Sequence, residues 1–466
     1  MPARITGTLI GALLLAAALF FYLLGDDPSQ FVNFSTWGTA TEIASFQRLI
    51  DHYNATRSPR HRVRLSHGEQ IQYTERLIVQ AAAGNLPDVM HLDRKDLPLF
   101  VSRGMCEALT PYMERDTSFH IADYLPELLP GCKVGTQFYA VPHNFSTLVL
   151  YYNKSHFDAE GIAYPDSTWT WDDLLRAALR LTRRDAQGSI VRYGCMMTLA
   201  VQTLIAQNDG RVLNVTLDSC IVASPGATGA VQFIVDLSEK YGVSWSMLAQ
   251  NIQWDDMFAG GRLSMIANGR WAAPWYMRSM QPGSLDAAPL PRGKLRRGGA
   301  VNHIMAIASQ SSKKEEAWQF VKYLVSEEGQ RMLNDDGANI PALRSLVYSD
   351  AFLRHHATPT MKNRVFLDEL PHSVVWPFEQ GIYVTHFVLQ SQLELAIRRV
   401  LLGQMTTTQS LRVMQDNVNG VIRSHRTAPQ PVPFMGSVLS YVCGAVAAGL
   451  LIVLVRRKGA RCVRRG

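Results

Sequence analysis

The residues best suited to chemistry fall after short apolar runs that alternate with amphipathic ones. Trp37 ends the first such run, Glu69 follows His67-Gly68, and Asp93 follows Leu92. His143, Asn144 and Ser146 sit together between two apolar stretches. Trp271 and Trp275 lie four apart in Asn-Gly-Arg-Trp-Ala-Ala-Pro-Trp, Gly298-Gly299 form a glycine pair, and Trp376 stands near Pro371 and Pro377. Carboxylates and amides donate to and accept from hydroxyl groups, and indole faces stack on weakly apolar C–H surfaces, so this mixture suits a polyhydroxylated ligand. Glu69 and Asp93 could also serve as a carboxylate pair of the kind that cleaves glycosides. There is no nucleophile-elbow serine, no His-Glu-x-x-His, no phosphate-binding loop and no Cys/His spacing for a metal, so no catalytic residue, cofactor or metal ligand is assigned.

The elements that must position these residues alternate in type. Phe31–Trp37 predicts a strand, and Thr39-Ala-Thr-Glu42 is a capping box opening a helix with Phe46, Leu49, Ile50 and Tyr53 on one face. Val63 and Leu65 alternate in a second strand, Tyr73, Leu77, Ile78 and Ala81 share a helix face, and Asp88–Leu92 reads as a buried strand. Thr170-Trp-Asp-Asp173 and Ser312-Lys-Lys-Glu315 predict further capped helices. This alternation implies a parallel or mixed sheet covered on both faces.

The chain has 466 residues, 47% of them hydrophobic, enough for one large two-lobed domain. Its net charge of +7 is carried wholly by Arg4 and six basic residues after Val455, since removing them leaves 39 basic against 39 acidic residues. A nucleic-acid partner is therefore not expected. Those charges flank two uncharged apolar runs, Ile5–Leu24 and Phe434–Val455. Each is long enough to cross a hydrocarbon core of about 30 Å. By the positive-inside rule both tails are cytoplasmic and the segment from about Gly25 to Pro433 is external. The first run lacks a small-x-small cleavage site and reads as an uncleaved anchor, with a signal peptide as the alternative. Cys106, Cys132, Cys195 and Cys220 fall in the external segment. Pairing of sequence neighbours is one expectation for them, and free buried thiols the other.

Several segments in order resemble the extracellular solute-binding proteins of the maltose-binding type. They are Ala81-Ala-Ala-Gly-Asn-Leu-Pro-Asp-Val89, Tyr139-Ala-Val-Pro142 with Leu150-Tyr-Tyr-Asn-Lys154, Thr168-Trp-Thr-Trp-Asp-Asp-Leu174, and Phe258-Ala-Gly-Gly-Arg-Leu-Ser-Met265 with Asn268-Gly-Arg-Trp271. Gly298-Gly299, Glu315-Glu-Ala-Trp-Gln-Phe320 and Ser326-Glu-Glu-Gly329 complete the series. The resemblance implies an α/β, two-lobed periplasmic-binding-protein fold with a hinge, here with two flanking transmembrane helices.

The expected organisation is an anchor or signal peptide at 1–25 and a binding domain at 26–424, followed by a proline-rich spacer at 425–433, a transmembrane helix at 434–455 and a basic tail at 456–466. Lobe one takes 31–142 and 300–345, and lobe two takes 143–299 and 346–424. The implied function is the binding component of an ATP-driven (ABC) importer at the cytoplasmic membrane. It would capture a sugar or polyol outside and pass it to permease subunits, and through them serve the ATPase.

The resemblance also implies cleft positions for Trp37, Glu69 and Asp93, a lobe-crossing segment around His143, Asn144 and Ser146, and a sugar-stacking role for Trp271. Trp275 is a second stacking candidate, Gly298-Gly299 a close backbone approach, and Trp376 a closure from the C-terminal side. Each has a structural alternative: core packing for the tryptophans, a neutral hinge histidine for His143, a plain turn for the glycines. Charges around Asp93 to Asp96 and the presence of Ala273 depart from the maltose-binding pattern, so maltose itself is not expected. A membrane-bound sensor with a separate output partner, and a glycoside-cleaving enzyme, are the rival readings.

Overall fold

The computed structural model describes residues 31–56, 62–68, 72–248, 253–375 and 383–427. Glu69, Trp376, both apolar runs and the segment from Pro429 to Pro433 lie outside the described residues.

Fourteen strands occur among the described residues: β1 (Val32–Trp37), β2 (Val63–Gly68), β3 (Val89–Asp93), β4 (Lys133–Val134), β5 (Gln137–Phe138), β6 (Ala140–Thr147), β7 (Val149–Asn153), β8 (Arg183–Arg184), β9 (Ile190–Arg192), β10 (Met265–Asn268), β11 (Leu285–Ala288), β12 (Gly298–Ile307), β13 (Ile340–Pro341) and β14 (Ser373–Val375). The larger sheet runs β13-β6-β12-β3-β1-β2, with β14 beside the start of β12. It is mixed: β1 pairs parallel with β2 and β3, whereas β12 runs antiparallel to β3 and β6.

Strand alternation sorts its side chains into two layers. Val32, Phe34, Val89, Val141, Phe145, Met305 and Ile307 face one core with Phe46, Leu49, Phe320 and Trp318. Trp37, Met90, Leu92, Ala140, Ile304 and Ala306 face another with Tyr73, Leu77 and Phe100.

The smaller sheet, β10-β7-β11, is antiparallel throughout. Tyr151, Ile266 and Leu285 point to the first core, while Leu150, Tyr152, Met265 and Ala267 point into a separate core. That core is closed by helices Trp171–Leu181, Val201–Gln207, Pro225–Glu239 and His386–Leu401, and by Leu411, Met414, Val418 and Ile422 of the last helix.

The chain passes between the sheets where β6 ends and β7 begins, with Leu148 the only residue between them. Leu148 is buried, and its N–H donates to the Gly299 carbonyl at 2.8 Å, so the outgoing strand and the returning β12 are tied at one level. β6 thus stays in the larger sheet through Thr147. Beyond residue 345, Leu346, Val347, Phe352 and Phe366 still pack into the first core, and the chain joins the second with Val384 and Leu389.

Several local expectations are met. Thr39 and Glu42 form the capping box, with Thr39 N–H donating to Glu42 Oε2 at 2.8 Å and Glu42 N–H to Thr39 Oγ1 at 3.3 Å. Thr170 and Asp173 form the second. Ser312 does not cap its helix, which starts at Lys314 without a side-chain cap. Nor do residues 425–427 begin an extended spacer. The helix Thr407–Thr427 runs through them, since the restriction a proline places on its predecessor begins only at Ala428.

The expected disulfides are absent: Cys106, Cys132, Cys195 and Cys220 are free and buried. They are packed as small apolar groups, the first two in the layer around Phe100 and the others around Leu204 and Val222. Burial pushes the Cys106 and Cys195 thiols up to about 12 and Cys220 to about 11, so all three stay protonated and unreactive. Among the described residues no helix is long and apolar enough to cross a membrane.

Candidate ligand-binding site

A cleft of about 800 Å³ opens at the ends of β1 and β3. This is the edge where an open α/β sheet is expected to bind ligand. The walls of the cleft come from both cores.

The wall on the larger sheet is aromatic and tightly packed. Trp37 is only 7% exposed; its ring stacks on His91 at 4.2 Å and 12°, leans on Tyr73 at 4.7 Å and meets His303 edge-on at 5.6 Å. Trp37 both packs in the core and lines the cleft. Gly38 follows it with a positive φ. A Cβ there would approach the Glu42 side chain to 3.0 Å, so a glycine at this position lets the capped Glu42 turn toward the cleft. The Tyr73 hydroxyl donates to the Ser35 carbonyl at 2.7 Å, which leaves its ring as wall.

Asp93, Lys95 and Asp96 line the same side and are almost fully buried. Burial alone would raise the Asp93 carboxyl, but the Lys95 ammonium, hydrogen-bonded to it, and then His303 hold it below the usual carboxylate range. Lys95 is held above its usual range: burial opposes its charge, and Asp93 and then Asp96 outweigh that. Asp96 accepts from Thr74 Oγ1 at 3.1 Å, and its other oxygen makes no hydrogen bond.

His143 and Asn144 do not line the cleft. They lie beneath it around a small void of about 20 Å³ shared with Trp37, His91 and His303. His143 is 1% exposed, its Nδ1 has no hydrogen-bond partner, and burial lowers it to about 3. It is a neutral packing histidine. Asn144 acts at one remove, its Oδ1 lying 2.8 Å from Nδ1 of His303, which does line the cleft and stands 3.7 Å from Asp93. Burial also lowers His91 and His303.

Ser146 lines the floor, and its Oγ accepts from the Arg270 backbone N–H at 2.8 Å. That bond fixes the turn Arg270–Ala272, which presents Trp271 to the cleft with 37% of its surface exposed. Gly269 is required here, because a Cβ would fall 2.1 Å from the Trp271 ring. Arg270 itself is fully buried, its guanidinium donating to Thr358 at 3.0 Å beside the rings of Phe352 and Phe366. Trp275, on helix Ala273–Ser279, is exposed but outside the cleft lining; Pro274 sits in the first turn, where a helix tolerates it. Gly298 and Gly299 are also outside the lining. They pair with Ser373 and Val374 of β14, and Gly298 is kept small by Ser373 and Glu369, which a Cβ would meet at 3.0 and 3.1 Å.

The opposite wall is one edge of helix His386–Leu401. Leu389, Leu393, Ala396 and Ile397 anchor it in the second core, while His386, Phe387, Gln390, Ser391 and Glu394, spaced one helical stripe apart, face the cleft. His386 Nδ1 comes within 3.4 Å of Asp96, so the two walls meet. The sequence reading missed this helix, along with Glu42, Lys95, Asp96, His303 and Asn339. The signal available for the helix was its polar edge combined with the solvent-facing Phe387, 51% exposed. Among the described residues no group of three or more His, Cys, Asp or Glu is arranged to hold a metal ion.

A mannitol-binding protein of Pseudomonas aeruginosa is 25% identical over 370 residues, which span 72% of this chain and 80% of that protein. An ABC substrate-binding protein of Listeria monocytogenes, solved in complex with cycloalternan, superposes with a TM-score of 0.73 at 21% identity, covering 84% of this chain and 98% of the other. A solute-binding protein of Thermotoga lettingae bound with α-D-tagatose gives 0.70 at 22% identity, covering 84% and 100%. These likenesses establish the two-lobed α/β fold of periplasmic binding proteins. The family model for bacterial extracellular solute-binding proteins matches residues 37–331, and the chain belongs to that family.

Proposed function

We propose that this chain is the receptor of an ABC importer, taking a carbohydrate or polyol into the cleft and handing it to a membrane permease without altering it. One observation carries the reading: aromatic faces from both walls, Trp37 and Tyr73 opposite Trp271 and Phe387, converge with carboxylates, an ammonium and amides on a space of about 800 Å³. Stacking surfaces plus planar donors and acceptors suit a ring or chain of hydroxyls. The mannitol-binding relative supports the same class.

Binding then works by closure. A solute touching both walls stabilises the arrangement in which they approach, and the rotation is taken up where β6 passes into β7. The lobes are accordingly the parts built on the larger and the smaller sheet. Glu69 and Trp376 remain candidates for the rim.

The two apolar runs are proposed as membrane anchors, supported by their length, lack of charge and basic flanks. Tethering would raise the receptor's concentration near its permease. Intrinsic tryptophan fluorescence of the purified protein, titrated with mannitol, erythritol, maltose and other uncharged sugars, tests the central reading. A saturable change is expected with at least one, and none with any would refute it. Retention in the membrane fraction after alkaline extraction tests the anchors.

A further inference from the structure

The cleft carries an excess of negative charge. Among the described residues, four carboxylates line it, Glu42, Asp93, Asp96 and Glu394, and the ammonium of Lys95 alone offsets them. Three formal negative charges remain. Lys95 is committed to Asp93, to which its ammonium is hydrogen-bonded. Burial lowers His303, the other basic group on that wall.

The charges occupy all sides: Asp93 and Asp96 the floor of the larger-sheet wall, Glu42 the first turn of helix Ala40–Thr56, and Glu394 the helix opposite. The charge at Asp96 is set into the wall and cannot be screened by water there. Asp96 is 3% exposed, lines the cleft, and has one carboxylate oxygen without a hydrogen bond, a buried acceptor with His386 Nδ1 3.4 Å away. From within the wall its charge repels a phosphate or carboxylate oxygen and favours an ammonium. Clefts lined by one sign of charge with low-dielectric walls focus that potential onto the solute.

We propose that the cleft sorts solutes by charge, admitting uncharged polyols and their amine-bearing counterparts and excluding phosphorylated or carboxylated ones, with Asp96, Glu42 and Glu394 as the discriminating residues. This rests on the cleft being the solute site. It narrows the solute class and names the groups that set it.

The test compares three forms of the uncharged sugar or polyol that binds best: the parent, its phosphate ester and its amino derivative. They are titrated by calorimetry against the full-length protein at low and high salt. The phosphate is expected to bind at least tenfold more weakly than the parent and the amine at least as tightly, with the gap narrowing as salt screens the field. The doubly substituted Glu42→Gln, Glu394→Gln protein, altered only at the more exposed positions, should recover several-fold affinity for the phosphate. A phosphate that binds as well as its parent overturns the charge sorting and leaves the receptor reading standing. Binding of no polyol of any charge overturns both.

Discussion

The two walls of the cleft are built on opposite plans. On the larger sheet, Trp37 is clamped by His91 and Tyr73, and Asp93, Lys95 and Asp96 are buried, Asp93 paired with Lys95 and Asp96 held by Thr74. On the facing side, Trp271 stands on a glycine and Phe387 on a helix edge, both with a third or more of their surface in solvent. The difference separates two tasks. A wall whose polar groups are already oriented loses little freedom when a ligand arrives, whereas exposed aromatics gain burial only when the cleft shuts. In the proposed closure, affinity for the closed form would reside mainly in the second wall, and the shape of the site in the first.

Substitutions can break this contrast. Lys95→Met should have the largest effect, since it leaves Asp93 and Asp96 buried without their cation; a loss of about 3–5 kcal/mol is expected from the denaturation midpoint at neutral pH. Its pH dependence should reverse as well. In the parent, Asp93 sits below its unfolded value, so its contribution is present above the usual carboxylate range and falls away on acidification. Without Lys95, burial dominates and raises that carboxyl, so the variant should gain stability relative to the parent as the pH falls. Trp37→Ala should cost a comparable ~3–5 kcal/mol through the cavity it leaves, together with binding.

The histidine layer gives a smaller, graded effect. His143 is held at about 3 in the fold against an ordinary value of 6.5, so the unfolded chain takes up its proton first. The folding constant should therefore fall roughly tenfold for each step of one in pH below that ordinary value. His143→Gln, compared by urea denaturation at pH 7, 6 and 5, should flatten that slope. Trp271→Ala should change stability by less than about 1 kcal/mol yet weaken the best sugar roughly tenfold, about the value of one aromatic stacking contact. Trp275→Ala should leave binding unchanged and stability within about 0.5 kcal/mol. If it weakened the ligand as much as Trp271→Ala, the boundary drawn here for the second wall would be wrong.

What the sequence disclosed follows the range of the interactions involved. Trp37 and Asp93 end β1 and β3 at the cleft, as a residue at the end of a buried strand must emerge at the sheet edge, and capping boxes such as Thr39–Glu42 are complete within a single helical turn. Trp271 came through the family resemblance. Helix His386–Leu401 was not legible, because nothing in its own periodicity says which distant element it faces; its neighbour Asp96 lies in the first quarter of the chain. His143 and Asn144 were placed one layer too high, since strand alternation gives a face but not a depth. Gly298 answers to Glu369 and Ser373, partners that no local pattern announces. The cysteines followed the same rule: an even count in an external segment left both outcomes open, and the packing chose free thiols.

The short passage at Leu148 has a mechanical corollary. With one strand leaving and another returning, stitched together by the Leu148 to Gly299 bond, the sheets share something close to a door with its pins on a single line. In the proposed closure, that bond favours a swing over a slide at this crossing, and a modest turn at this pivot becomes a wide gape at the rim.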